Sequence, residues 1–255
     1  PSRPMRKLME TPTSSKFYPL PCLLTCCSLF SGFYSIVAAI NGNFYAAAIA
    51  ILVAAVFDGL DGRVARMTGS TSTFGMELDS LCDLVSFGVA PAILAYLWAL
   101  TPYGRYGWLA AFLYVATTAL RLARFNTQSA TSGPDFVGLP CPAAAMMIST
   151  TAMFGRLLGA TDPVQHLSIL LLVYVLSYLM VSNHRYLSFK HMHITRAKAF
   201  QLMVFLLLLL ILLATEPPIT LFVVALSYIL SGPVLALYAL FTREKQKLAR
   251  HKEIS

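Results

Sequence analysis

The chain has 255 residues, 57% of them apolar and only 12% charged, against roughly 25% charged in an ordinary soluble domain. With a mean hydropathy of +0.69, that composition excludes a soluble globular enzyme, a disordered tail and a disulfide scaffold. The net charge of +8 does not indicate nucleic acid, because the basic residues sit between long uncharged runs rather than on a soluble domain.

A bilayer core of about 30 Å takes roughly 20 apolar residues per helix, and charged residues cut the chain into pieces of that size. Residues 1–16 are a polar, basic tail, and without a cleavage pattern after the first span they are not expected to be a signal peptide. The uncharged run from Phe17 to Phe57 is broken only by Asn41-Gly42-Asn43, which predicts two helices joined by a tight turn. Further uncharged runs cover Leu84 to Gly104, Tyr106 to Leu120, Phe136 to Gly155, Pro163 to His184, Ala199 to Thr215 and Pro217 to Thr242. The fold class is therefore an all-α, polytopic transmembrane bundle of about eight spans. Only the connections Gln128–Asp135 and Asn183–Lys198 are long enough to carry function, and the Leu-rich run Leu206–Leu213 reads as lipid-facing helix.

Orientation follows from the Lys and Arg positions. With an even number of spans both termini share a side, and that side collects 17 of the 19 basic residues, leaving only Arg105 and Arg156 opposite. Both termini are expected in the cytoplasm, and contact with anionic headgroups accounts for most of the charge.

Five of the 11 acidic residues fall within 26 positions: Asp58, Asp61, Glu77, Asp79 and Asp83. Asp58 and Asp61 are three apart and Asp79 and Asp83 four apart, so each pair occupies one face of a helix. Two neighbouring antiparallel helices can aim both pairs at a common centre. Carboxylates at membrane depth cost several kcal/mol unless paired, hydrated or metal-bound. Hard oxygen donors suit Mg²⁺ or Mn²⁺ rather than zinc, and four of them can hold two such ions. The plainer alternative is that the acids mark helix ends and pair with Arg63 and Arg66. Gly59, Gly62, Gly69 and Gly75 surround the acids and allow close backbone approach. With Arg66 and the hydroxyls of Ser70, Thr71, Ser72 and Thr73 they form a site for a metal-bound diphosphate.

The pattern Asp58-x-x-Asp61-Gly62-x-x-Ala65-Arg66, eight residues, then Gly75-x-x-x-Asp79-x-x-x-Asp83 resembles the complete signature of the CDP-alcohol phosphotransferase family. Three further stretches resemble its integral-membrane phosphatidylserine synthase branch: Ser86 to Ala92, Leu120 to Asn126 and Gly138 to Ala145. The resemblance implies a six-helix core, a homodimer, and a metal site in a cavity open to the cytoplasm of the plasma membrane. It implies that Asp58, Asp61, Asp79 and Asp83 hold two divalent ions, Mg²⁺ or Mn²⁺, that Asp83 is the general base, and that Gly62, Arg66 and Ser72 bind the CDP moiety. On that reading the chain divides into a basic tail (1–16), a catalytic core (17–184), a basic cytoplasmic loop (185–198), two additional helices (199–242) and a basic C-terminal tail (243–255). This chain departs from the family near its first span, with Leu20-Pro21-Cys22 where Leu-Pro-Asn is common and Cys27-Ser28 where Gly-Asn is common. A nucleotide contact made by that asparagine would weaken here or pass to Thr25.

Both lines together predict transfer of a phosphatidyl group from CDP-diacylglycerol to L-serine, with membrane lipids as surroundings. An Arg fork suits the serine carboxylate better than a Lys point charge, so Arg121 and Arg124, with Asn126 just beyond, are candidate serine-binding residues, and Ser86 is a candidate for the same pocket. Arg121 and Arg124 read equally well as positive-inside anchors. The alternatives are another acceptor, glycerol 3-phosphate or an inositol phosphate, and, in a different class, a cation transporter. Cys22, Cys26, Cys27, Cys82 and Cys141 read as small buried hydrophobes, and His191-x-His193 as part of a solvated basic loop.

Overall fold

The computed structural model describes residues 19–69, 72–129, 138–157, 159, 167–182 and 196–234. The two tails, Ser70, Thr71, most of the Gln128–Asp135 connection, and His191 and His193 lie outside these residues. Within them the chain forms α1 (Pro19–Ile40), α2 (Phe44–Met67), α3 (Thr73–Tyr103), α4 (Arg105–Ser129), α5 (Cys141–Leu157), α6 (Leu167–Val181), α7 (Arg196–Thr215) and α8 (Pro217–Val234). No strand occurs among the described residues. Among the described residues, four helices are long and apolar enough to cross a membrane: Leu20–Ile40 within α1, then α2, α3 and α8. An integral membrane protein of all-α class follows from these lengths.

The turn at Asn41-Gly42-Asn43 forms as its residue types require. Gly42 takes φ +75°, and the Asn43 side chain accepts the Ala46 N–H at 3.1 Å, capping α2. Small residues then let α1 and α2 lie close together: Ala38 and Ala39 on one helix, and Ala47, Ala48 and Ala54 around Ile51 on the other, are all buried. The α1–α3 contact is tighter. A methyl group at Gly32 would come within 2.5 Å of Ser86 Oγ and 2.7 Å of Ser86 Cα.

Helix α3 is not regular. It widens into π-helical stretches at Leu84–Val89 and Tyr96–Leu100, on either side of a short α-segment that contains Pro91. Proline has no N–H to offer the carbonyl four residues back, here that of Phe87. The buried Tyr114 hydroxyl of α4 donates to that carbonyl at 3.2 Å, which locks α3 to α4 where α3 is irregular. At the other end of α4, the approach to α5 is pinned to α6. The Leu139 N–H donates to the Leu179 carbonyl at 3.1 Å, and Gly138 (φ +86°) lies so close to the Met180 carbonyl that a side chain would not fit.

Both aspartate pairs lie within helices, because α2 continues past Asp58 to Met67 and α3 begins at Thr73 rather than near Leu84. Likewise α4 runs to Ser129 and α7 starts at Arg196, so each takes in an end of an expected loop. The last two helices differ from each other. Six apolar side chains of α7 from Leu206 to Leu212 are more than half exposed, as a lipid-facing helix requires, whereas Ala225 and Ile229 of α8 join the buried core. Phe222 of α8 stacks on Phe154 of α5 with centroids 5.0 Å apart.

Candidate active site

Helices α2 and α3 bring three carboxylates together. One oxygen each from Asp58, Asp61 and Asp79 lies within 4.8 Å of the other two. Three negative charges at that spacing repel by about 3 kcal/mol per pair at an effective dielectric of about 20. Asp61 is only 5% exposed, and its Oδ2 accepts the Thr25 hydroxyl of α1 at 2.7 Å. Asp79 Oδ1 is buried with no hydrogen-bond partner. Leaving such an oxygen unsatisfied is costly, and a cation resolves both the orphaned oxygen and the repulsion. The donors are all hard carboxylate oxygens, so the residues present fit a divalent ion of the Mg²⁺ or Mn²⁺ type. Asp83 sits one turn further along α3, beside this trio, and its carboxyl contacts that of Asp58.

The glycines around the acids play different parts. Methyl groups at Gly59 or Gly62 would meet nothing within 4 Å, so open space adjoins the acidic face of α2. Arg66 is exposed in the last turn of that helix. Gly75 serves the start of α3. Ser72 Oγ accepts the Gly75 N–H at 3.0 Å as the N-cap, and a methyl there would crowd that oxygen at 3.2 Å.

On the α4 side, Arg121 is half-buried. Its Nη1 donates to Cys141 Sγ at 3.3 Å, while its Nε is buried without a hydrogen-bond partner. Cys141 is fully buried and within electrostatic reach of Asp83, which puts Arg121 in the same region as the general-base candidate. Asn126 is tied to α3, its Nδ2 donating to Ser80 Oγ at 3.0 Å; Ser80 follows Asp79 directly. Arg124 is half-buried on the same end of α4.

The structure thus gathers Asp58, Asp61, Asp79, Asp83 and Thr25, with Arg121 and Asn126 alongside. Ser86 is different: it is fully buried, and its hydroxyl donates to the Ser28 carbonyl at 3.1 Å, inside the α1–α3 contact. The Thr25 hydroxyl is engaged by Asp61. Two residues were missed. Ser80 carries no motif signal of its own, and Cys141 reads as packing in sequence although its thiol holds the Arg121 guanidinium.

The comparisons with known proteins agree with this geometry. The sequence model of the CDP-alcohol phosphatidyltransferase family matches residues 18–176. A Helicobacter pylori protein named CDP-diacylglycerol–serine O-phosphatidyltransferase is 41% identical over 174 residues, 68% of this chain and 73% of that protein. The Bacillus subtilis protein of the same name is 36% identical over 172 residues, 67% of this chain and 91% of its own length. A Methanothermobacter thermautotrophicus archaetidylserine synthase is 39% identical over 181 residues, 70% of this chain and 74% of its own length. With most of the chain matched and the acidic signature assembled in space, this protein belongs to the CDP-alcohol phosphatidyltransferase family.

Proposed function

We propose that this protein transfers the phosphatidyl group of CDP-diacylglycerol to the hydroxyl of L-serine, giving phosphatidylserine and CMP in phospholipid synthesis. The observation that carries this reading is the convergence of Asp58, Asp61 and Asp79 around a buried, unpartnered oxygen, in a chain whose relatives bear the name of that reaction. Phosphoryl transfer depends mainly on positioning and electrostatics.

Asp58, Asp61, Asp79 and Asp83 hold the divalent ions, two Mg²⁺ or Mn²⁺, which when bound neutralise the diphosphate and stabilise charge on the leaving CMP. The chain does the rest. Gly62 leaves room for close approach, and Arg66, Ser72 and Gly75 bind the CDP moiety. Thr25 orients Asp61. The serine hydroxyl is too weak an acid to ionise unaided, and Asp83 accepts its proton, a contribution of about 10²–10⁴-fold. The serine oxygen forms its bond to the phosphatidyl phosphorus as the bond from that phosphorus to the CMP oxygen breaks, and no covalent enzyme intermediate is needed. Arg121 pairs with the serine carboxylate, supported by Arg124 and Asn126.

The same reading gives the membrane arrangement. Eight spans cross the plasma membrane, six of them in the catalytic core (17–184) and two beyond it (199–242). The site, the loop (185–198) and both tails (1–16 and 243–255) face the cytoplasm, and the protein works as a homodimer. The positive-inside asymmetry supports the orientation.

The test is CMP release by purified protein given CDP-diacylglycerol, Mg²⁺ or Mn²⁺, and single acceptors in separate reactions. Release that requires L-serine and stops with chelator is the expected result. Release with glycerol 3-phosphate or an inositol phosphate instead would overturn the acceptor. Ion flux without any CMP release would indicate a transporter and overturn the chemistry.

A further inference from the structure

Between the start of α5 and the C-terminal half of α8 lies a cavity of about 530 Å³, within the size range of small-molecule sites. Pro140, Pro142 and Met146 form one wall, and Val224, Ala225 and Tyr228 the other. Ser227 and Ser231 also line it, but their hydroxyls donate to the carbonyls of Val224 and Tyr228 at 2.9 and 2.6 Å. Both protons are spent within α8, so the wall is apolar in effect.

One end of the cavity adjoins the Arg121–Cys141 contact. Pro140 and Pro142 flank Cys141, whose thiol holds Arg121. From Ser231 to Val224 the α8 wall runs seven residues, about 10 Å of helix. Along α5 the wall runs from Pro140 and Pro142, beside Cys141, to Met146, so one end lies next to the Arg121 contact and the other further along the apolar helices. The family match ends at residue 176, so the α8 wall comes from outside the matched region.

We infer that this groove holds one acyl chain of the diacylglycerol nucleotide, aligning the lipid so that its phosphate reaches the acidic cluster; the inference rests on the lipid-substrate reading above. A lipid tail gains no hydrophobic free energy by leaving the bilayer for an apolar groove, since the two are equally apolar. The groove therefore acts through shape and orientation, and filling it discriminates by chain length.

The test compares wild type with Val224→Phe and Ala143→Phe, two substitutions that project bulk into the groove, using dioleoyl and dihexanoyl CDP-diacylglycerol in mixed micelles. The ratio of kcat/KM for the long over the short substrate is expected to fall about tenfold in the filled variants. An unchanged ratio would overturn the inference. Should a variant lose both activities, wild-type protein decides: a CDP-diacylglycerol analogue with a photoreactive group at one acyl terminus is expected to label peptides containing Pro142–Met146 or Val224–Tyr228. Labelling confined to other helices, or Ser227→Cys disulfides between two copies that exclude the label, would overturn the inference. Wild type that turns over neither substrate with serine would instead count against the proposed reaction, and the photolabel would still decide the groove.

Discussion

Thr25→Val tests whether α1 supports the acidic cluster or the nucleotide. Valine keeps the branched shape, so it leaves no cavity and removes only the hydroxyl. That hydroxyl lies 2.7 Å from Asp61 Oδ2 and 3.1 Å from the Pro21 carbonyl. It has one proton, and the shorter bond, to a carboxylate, takes it. A hydrogen bond to a charged group contributes about 1.5–3 kcal/mol, which is about ten- to a hundredfold in an equilibrium constant. Loss of an outer partner from a metal-binding carboxylate independently carries about the same ten- to hundredfold cost in metal affinity. The Mg²⁺ or Mn²⁺ concentration for half-maximal CMP release is therefore expected to rise by about that factor, with kcat restored at saturating metal. Thr25→Ser, which keeps the donor, should stay near wild type. A metal-activation curve that does not move, together with a raised KM for CDP-diacylglycerol at saturating metal, would refute this reasoning and return Thr25 to nucleotide contact.

Asp83→Asn should cut turnover by at least about 10²-fold while CDP-diacylglycerol binding, read by calorimetry, persists; near-normal turnover would remove Asp83 from the base role. Ser80→Ala and Asn126→Ala should each raise the KM for serine about tenfold, and the double variant should be no worse than either single one, as contacting partners are non-additive; full additivity would mean the pair does not act as a unit. Gly32→Ala should lower thermal stability by about 1–3 kcal/mol, the range for overpacking a tight contact, because its methyl meets the Ser86 backbone as well as the side chain. Tyr114→Phe should cost about 1 kcal/mol by removing a donor from the Phe87 carbonyl, and an unchanged unfolding temperature in detergent would show that the bond carries no weight.

Local features of this protein were legible before its structure. Uncharged runs marked helices, Asn41-Gly42-Asn43 marked the α1–α2 turn, and spacings of three and four put each aspartate pair on one helix face. All of these depend on periodicity within one segment. What stayed hidden depends on register between segments. Thr25 and Asp61 are 36 residues apart in sequence, and nothing in either segment says that they meet. Ser86 was a candidate for the serine pocket, yet its hydroxyl is bonded to the Ser28 carbonyl within the α1–α3 contact, 58 residues away in sequence. Cys141 looked like packing, because a thiol reveals its partner only once Arg121 has a place beside it.

The irregular part of α3 explains how so costly a cluster is held. Three carboxylates that repel one another will spread unless their helices cannot move apart. On one side α1 approaches α3 until Gly32 touches Ser86, leaving no slack for a methyl group. On the other, Pro91 frees the Phe87 carbonyl from its usual helical partner, and Tyr114 of α4 takes it up. Ser86 and Phe87 lie three and four residues after Asp83, so α3 is clamped about one turn from that acid rather than at its far end. Along α4, Tyr114 and Arg121 are two turns apart on one face, so the clamp that fixes Asp83 also sets the position of the guanidinium proposed to meet serine. Packing in the apolar interior thereby fixes the acids and the guanidinium relative to one another.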